Sequence, residues 1–173
     1  MKTNVLKKAA KELKQYIPHE ANIVELDYSV PADKKAAEEL YKTWQGAEFI
    51  PIITSSSSSP TRHIYAITTQ NSGYENIDAS KIMGIADFDL KGTHSHTRFL
   101  QAKPEIINQP DRDIKGVGRA LMQGVISHFK GLGVEDMKVF VRHTEKPFYR
   151  NIFPNIEDKL STAEDSSNMI LRF

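Results

Sequence analysis

The chain of 173 residues carries 23 lysines and arginines against 22 aspartates and glutamates, so no net charge draws it to nucleic acid or an acidic surface. It has no cysteine, which excludes a disulfide framework, a thiol nucleophile and a cysteine-based metal site. Its length suits one domain, 1–173. No apolar run is long enough to span a bilayer, and the first residues are Lys-rich and polar rather than a secretion signal, so a soluble, cytoplasmic protein is expected.

Val5, Leu6, Ala9, Ala10, Leu13, Tyr16 and Ile17 recur at helical spacing. They predict an extra N-terminal helix within residues 1–18, running from Thr3 to Tyr16 and ended by Pro18. Lys7, Lys8, Lys11 and Lys14 line its other face, read as a solvated surface rather than a membrane-binding one. Ala21 to Tyr28 alternates as a strand. Pro31 and Asp33 then open a helix that presents Ala36, Ala37, Leu40, Tyr41 and Trp44 on one side. Phe49 and the following apolar residues lead into Ser55–Ser59, a loop beside which an acceptor could enter.

Thr61–Thr69 and Ser80–Leu90 predict a hairpin whose turn carries Asn71, Ser72 and Gly73. A turn at Lys91 and Gly92 leads to a third strand, Thr97–Asn108. Asp87 and Asp89 share one face of the second of these strands. His94 and His96 flank Ser95, but two ligands are too few for a zinc site, so no metal is expected.

Next comes the segment Pro110-Asp-Arg-Asp-Ile-Lys-Gly116-Val-Gly118-Arg-Ala-Leu-Met122, between the extended run and an amphipathic helix, Val117–Leu132. Two glycines at a strand–helix junction let backbone N–H groups approach a ligand. A helix start gathers unpaired donors and the positive end of the dipole, which suits phosphate. A P-loop would need Gly-x-x-x-x-Gly-Lys-Ser/Thr, which does not occur. A dinucleotide fingerprint would need a third glycine where Leu121 stands, and an acid where Arg142 and His143 stand. Asp136–Val141 reads as a further strand, and Asn168–Phe173 as the last.

The segment resembles the acyl-CoA-binding motif of the GNAT acyltransferase superfamily, Val-x-Pro-x-x-Arg/Gln-x-x-Gly-x-Gly/Ala. Asn108 takes the Val position, Pro110 the Pro, Asp113 the Arg/Gln, and Gly116 and Gly118 the glycines, without a gap. Glu145-Lys-Pro-Phe-Tyr149-Arg-Asn-Ile-Phe153 is similar to the family's second motif: Tyr149 keeps the Tyr, while Arg142, Glu145 and Phe153-Pro154 replace the Asn, Ala and Gly-Phe. The resemblance covers roughly residues 22–173.

The resemblance implies an α+β fold, a GNAT-like central mixed, mainly antiparallel sheet flanked by helices. It implies acetyl-CoA as acyl donor, bound through Ile106, Ile107, Asn108, Arg112, Asp113, Ile114, Lys115, Gly116, Val117, Gly118, Arg119 and Arg142. Direct transfer to an amine needs deprotonation, because an alkylammonium has a pKa of about 10.4. A positioned base contributes about 100- to 10,000-fold. Glu105 is the candidate base and Tyr149 the candidate acid toward the leaving thiolate. The acceptor, a small-molecule amine or a protein amino group, is not fixed by the residues, and a homodimer is compatible with them. The alternative is a GNAT-like module that binds CoA or a partner protein without chemistry. No membrane partner is expected, and nucleic acid is disfavoured.

Overall fold

The computed structural model describes residues 1–9, 16–44, 59–71, 76–107, 113–159 and 166–173. The predicted sites at Phe49, most of the serine loop, Ser72–Gly73, Asn108, Pro110 and Arg112 lie outside them. In chain order the elements are β1 (Lys2–Lys8), β2 (Tyr16–Leu26), α1 (Pro31–Thr43), β3 (Arg62–Thr68), β4 (Ile82–Lys91), β5 (His94–Ala102), α2 (Pro104–Ile107), β6 (Ile114–Lys115), α3 (Val117–Gly131), β7 (Asp136–Arg142), α4 (Lys146–Ile152), β8 (Glu157–Lys159) and β9 (Ser166–Arg172). Short 3-10 turns at Ala79–Lys81 and His143–Glu145 precede β4 and α4.

The described strands form one nine-stranded mixed sheet in the order β6-β1-β2-β3-β4-β5-β7-β9-β8. Every pairing is antiparallel except that of β5 with β7. That crossover follows from α3, which carries the chain from one edge of the sheet back to its middle.

The sheet is buried on both faces at its centre. Ile64, Ala66 and Ile85 pack under α1 with Leu26, Leu40 and Trp44. Tyr65, Ile67 and Phe88 alternate with them on the opposite face and meet α3. Pro31 at the start of α1 costs no intrahelical bond there, and Asp33 complements the helix's positive end. Ala36, Ala37, Leu40 and Trp44 are buried as the spacing predicts. On α3, Leu121, Met122, Val125 and Phe129 are fully buried. The Phe129 ring meets Phe88 and Tyr65 edge-on at 5.3 and 5.9 Å, a favoured aromatic geometry.

Two predicted elements differ. Among the described residues the N-terminal segment is not a helix: Lys2–Lys8 and Tyr16–Leu26 are antiparallel strands, and residues 10–15 of the predicted helix lie outside the described ones. The 3.6-residue spacing was overridden by cross-strand pairing, which buries Val5 against the α3 face. Pro18 sits in the half of β2 that pairs with β1 alone, an edge position that tolerates a proline. The third strand of the hairpin ends at Ala102 rather than Asn108, because Pro104 begins a single helical turn. The N–H groups of Ile106 and Ile107 both reach the Lys103 carbonyl, at 2.9 and 3.3 Å.

Candidate active site

The turn between β6 and α3 is built on Gly116, whose φ of 77° and ψ of 10° lie in the left-handed region where a side chain is strained. The first full turn of α3 closes when the Ala120 N–H reaches the Gly116 carbonyl at 2.8 Å. The N–H groups of Val117, Gly118 and Arg119 therefore have no acceptor within the helix. Gly118 keeps the approach open: a Cβ there would stand 3.1 Å from the Phe148 ring.

The second feature is a break in the sheet. β5 and β7 pair only from His94–Thr97 with Asp136–Val139. Beyond Thr97, β5 runs on to Ala102 and β7 to Arg142 without pairing to each other. Arg98 is the odd residue at this point, since Phe88 pairs with Thr97 and Asp87 with Phe99. A bulge there bends β5 away from β7.

A cavity of about 870 Å³ lies between the stretch of β5 that has left β7, the start of α3 and α4. Its walls are Leu100–Ala102 of β5, Gly116–Ala120 of α3, and Phe148, Tyr149 and Ile152 of α4. This volume is in the range of small-molecule sites of about 300–1,000 Å³.

β1 completes the enclosure. Thr3, Asn4, Val5 and Leu6 line the cavity, a contribution that the helical reading of this segment concealed. β2 pairs with β3 only from Asn22 onward, so β1 and the first half of β2 form a two-stranded arm reaching past β3. Leu6 and Lys7 of that arm pair with Lys115 and Ile114, and the Lys8 N–H donates to the Asp113 carbonyl at 2.7 Å. The Lys115 ammonium lies 4.0 Å above the Tyr16 ring.

Of the predicted ligand residues, Lys115, Gly116, Val117, Gly118 and Arg119 line the cavity together with Tyr149. The Arg119 guanidinium donates to Asn151 Oδ1 at 2.8 Å, a link between α3 and α4. Ile106 and Ile107 also line it, but from α2 rather than from a strand. The backbone beside the parting of the sheet belongs instead to Phe99–Ala102. Ile114 is half-buried against the core, and Asp113 is exposed and outside the lining.

Glu105 is exposed on α2, outside the lining, so the expectation of a strand-borne carboxylate beside the site is corrected. Arg142 is exposed on the face of β7 that points away from α3, also outside the lining. Its backbone N–H donates to Glu145 Oε2 at 3.0 Å. Tyr149 is 7% exposed, and burial, with a smaller push from Glu145, raises its hydroxyl pKa well above the ordinary phenol value. Asp87 and Asp89 do share a face, the one opposite the cavity. Asp87 is fully buried, forked by Arg62 at 2.9 and 2.5 Å. His94 lies on β5, its Nδ1 2.9 Å from Asp136 Oδ2, rather than in a turn.

No family model matches the sequence, and no curated protein matches it. Solved structures do resemble the fold. The ribosomal-protein-S18-alanine N-acetyltransferase of Escherichia coli superposes with a TM-score of 0.63 at 16% identity, covering 88% of this chain and 93% of that one. Campylobacter jejuni N-acetyltransferase PseH, in complex with acetyl coenzyme A, gives 0.56 at 17% identity, with 88% and 98% covered. The PaiA N-acetyltransferase of Thermoplasma acidophilum, in complex with coenzyme A, gives 0.53 at 13% identity, with 88% and 99% covered. The fold of this chain is the GNAT fold.

Proposed function

We propose that this GNAT-fold chain is an acyl-CoA-dependent N-acyltransferase that passes an acetyl group from acetyl-CoA directly to an amine. One observation carries the reading. The residues at the start of α3 whose N–H groups have no acceptor within the helix line a cavity that is bounded elsewhere by Leu100–Ala102, the stretch of β5 that no longer pairs with β7. The helix start suits a pyrophosphate. The edge of β5 at Leu100–Ala102, beyond its pairing with β7, suits the two amides of a pantetheine arm.

With the thioester at the parting, the amine nitrogen forms a bond to the carbonyl carbon and the carbon–sulfur bond breaks. Tyr149 stays protonated through neutral pH and is the residue proposed to give its proton to the departing thiolate. The acceptor ammonium first loses a proton and the free amine then attacks; Glu105 is outside the lining while its neighbours Ile106 and Ile107 belong to it, and it stays the candidate acceptor of that proton, passing it on to water. The absence of Glu105 from the lining favours a second reading, a module that binds CoA without turnover.

Calorimetric titration with acetyl-CoA tests the binding step. Micromolar affinity, little changed in desulfo-CoA and lost in pantetheine, which lacks the pyrophosphate, is the expected result. No heat up to millimolar ligand would overturn the reading. Binding without thiol release across an amine panel would select the module.

A further inference from the structure

Resting on this acyl-transfer reading, we propose that the acceptor amine carries an oxyanion, a carboxylate or a phosphate, and that Arg98 receives it.

The argument begins on the face of the sheet opposite the cavity. Asp87, at 0% exposure, is already held by both donors of Arg62, whose side chain is 3% exposed. That ion pair is neutral and fixed. Arg98 approaches the same carboxylate with its Nε at 3.6 Å, too long for a hydrogen bond, and 38% of its side chain faces solvent. Its guanidinium is therefore anchored behind and open in front.

Its position gives the anchoring a purpose. Arg98 is the bulged residue at which β5 leaves β7, so it stands at the point where the sheet opens. An amine reaching a thioester held on the α3 side passes this point. Phe140, 54% exposed, and Arg142 continue the far lip on the same face of β7.

Charge points the same way. Asp87 is taken by Arg62, and Asp89 by Lys91 at 3.2 Å. Arg98, Lys138 and Arg142 are the cations that β5 and β7 carry on this face, with Asp89 close enough to feel Arg98 as well as Lys91. The Tyr28 hydroxyl is buried, feels Arg62, Asp87, Glu38 and Asp33, and has no hydrogen-bond partner among the described residues. A polyamine would be repelled here. An amine with a nearby oxyanion would find the half-exposed guanidinium of Arg98.

The test measures thiol release from acetyl-CoA with O-phosphoethanolamine, β-alanine, ethanolamine and spermidine. The anionic amines are expected to exceed ethanolamine in kcat/KM by about tenfold or more, the scale of one charge-assisted hydrogen bond. Their ranking separates phosphate from carboxylate. Arg98→Gln is expected to abolish the preference through KM while the calorimetric affinity for CoA is unchanged, and Arg98→Lys to restore part of it. Equal or better use of ethanolamine or spermidine, a preference that survives Arg98→Gln, or CoA binding with no anionic amine acetylated would each overturn the proposal. Failure to bind CoA would instead overturn the acyltransferase reading.

Discussion

The backbone N–H of Lys8 donates to the carbonyl oxygen of Asp113 across 2.7 Å, tying the N-terminal arm to the segment that turns into α3 at Gly116. β6 is only two residues long and pairs with β1, so the arm is what holds the approach to that turn in register.

Lys8→Pro removes the donor and leaves strand geometry accessible. It is expected to weaken acetyl-CoA binding by several-fold while lowering stability by about 1 kcal/mol, the worth of one backbone hydrogen bond. Lys8→Ala keeps the N–H and serves as control. Parent-like affinity in a folded Lys8→Pro protein would show that the arm does not set the turn.

Tyr149→Phe is expected to lower kcat by about tenfold or more, with acetyl-CoA affinity nearly unchanged. Because burial raises the hydroxyl above its ordinary range, the parent's kcat should show no loss of a protonated acid between pH 7 and about pH 10. An alkaline limb in that window, or turnover equal to the parent's in the variant, would remove Tyr149 from the mechanism.

Arg62→Ala strands the Asp87 carboxylate in the core with, among the charged side chains of the described residues, only the long contact from Arg98. Loss of one partner of a buried pair costs about 3–5 kcal/mol, and a chemical-denaturation midpoint would reveal it. A shift below about 1 kcal/mol would mean that water reaches the carboxylate.

Asp89 supplies a pH signature. A hydrogen bond from Thr61, and then Lys91 and Arg98, hold its carboxyl below the usual carboxylate range. Its folded pKa is thus depressed, so its stabilisation is present above the unfolded value of about 3.9 and is lost as pH falls through the folded one. Asp89→Asn should melt lower than the parent at pH 7, and the two melting curves should converge toward pH 2. A gap that is constant with pH would point to packing rather than charge.

Much of this arrangement is legible in the chain because the decisive segments have one clean period. Leu121, Val125 and Phe129 mark the buried stripe of α3, and Met137, Val139 and Val141 alternate on β7 without ambiguity. Gly116 and Gly118 announce a close approach before any coordinates. The arm was illegible for a physical reason: Val5 and Leu6 fit a helical period as well as a strand, and only pairing with distant Tyr16–Asn22 decides. Glu105 was misplaced because an apolar run read as one strand hid the break that Pro104 imposes. The opening of the sheet at Arg98 depends on a bulge and on a parallel neighbour nearly forty residues later, neither of which leaves a local signature.

The chain's single tryptophan, Trp44, is 1% exposed and packed beneath α1, whereas the cavity lies against α3 on the far side of the sheet. Its emission is therefore a built-in reporter for one half of the molecule: blue-shifted when folded, red-shifted on melting, and optically remote from the nucleotide. Any change in that emission when CoA is added would signal a disturbance carried through the sheet from one face to the other. A change seen only on adding the amine would place the second ligand on the tryptophan's own side.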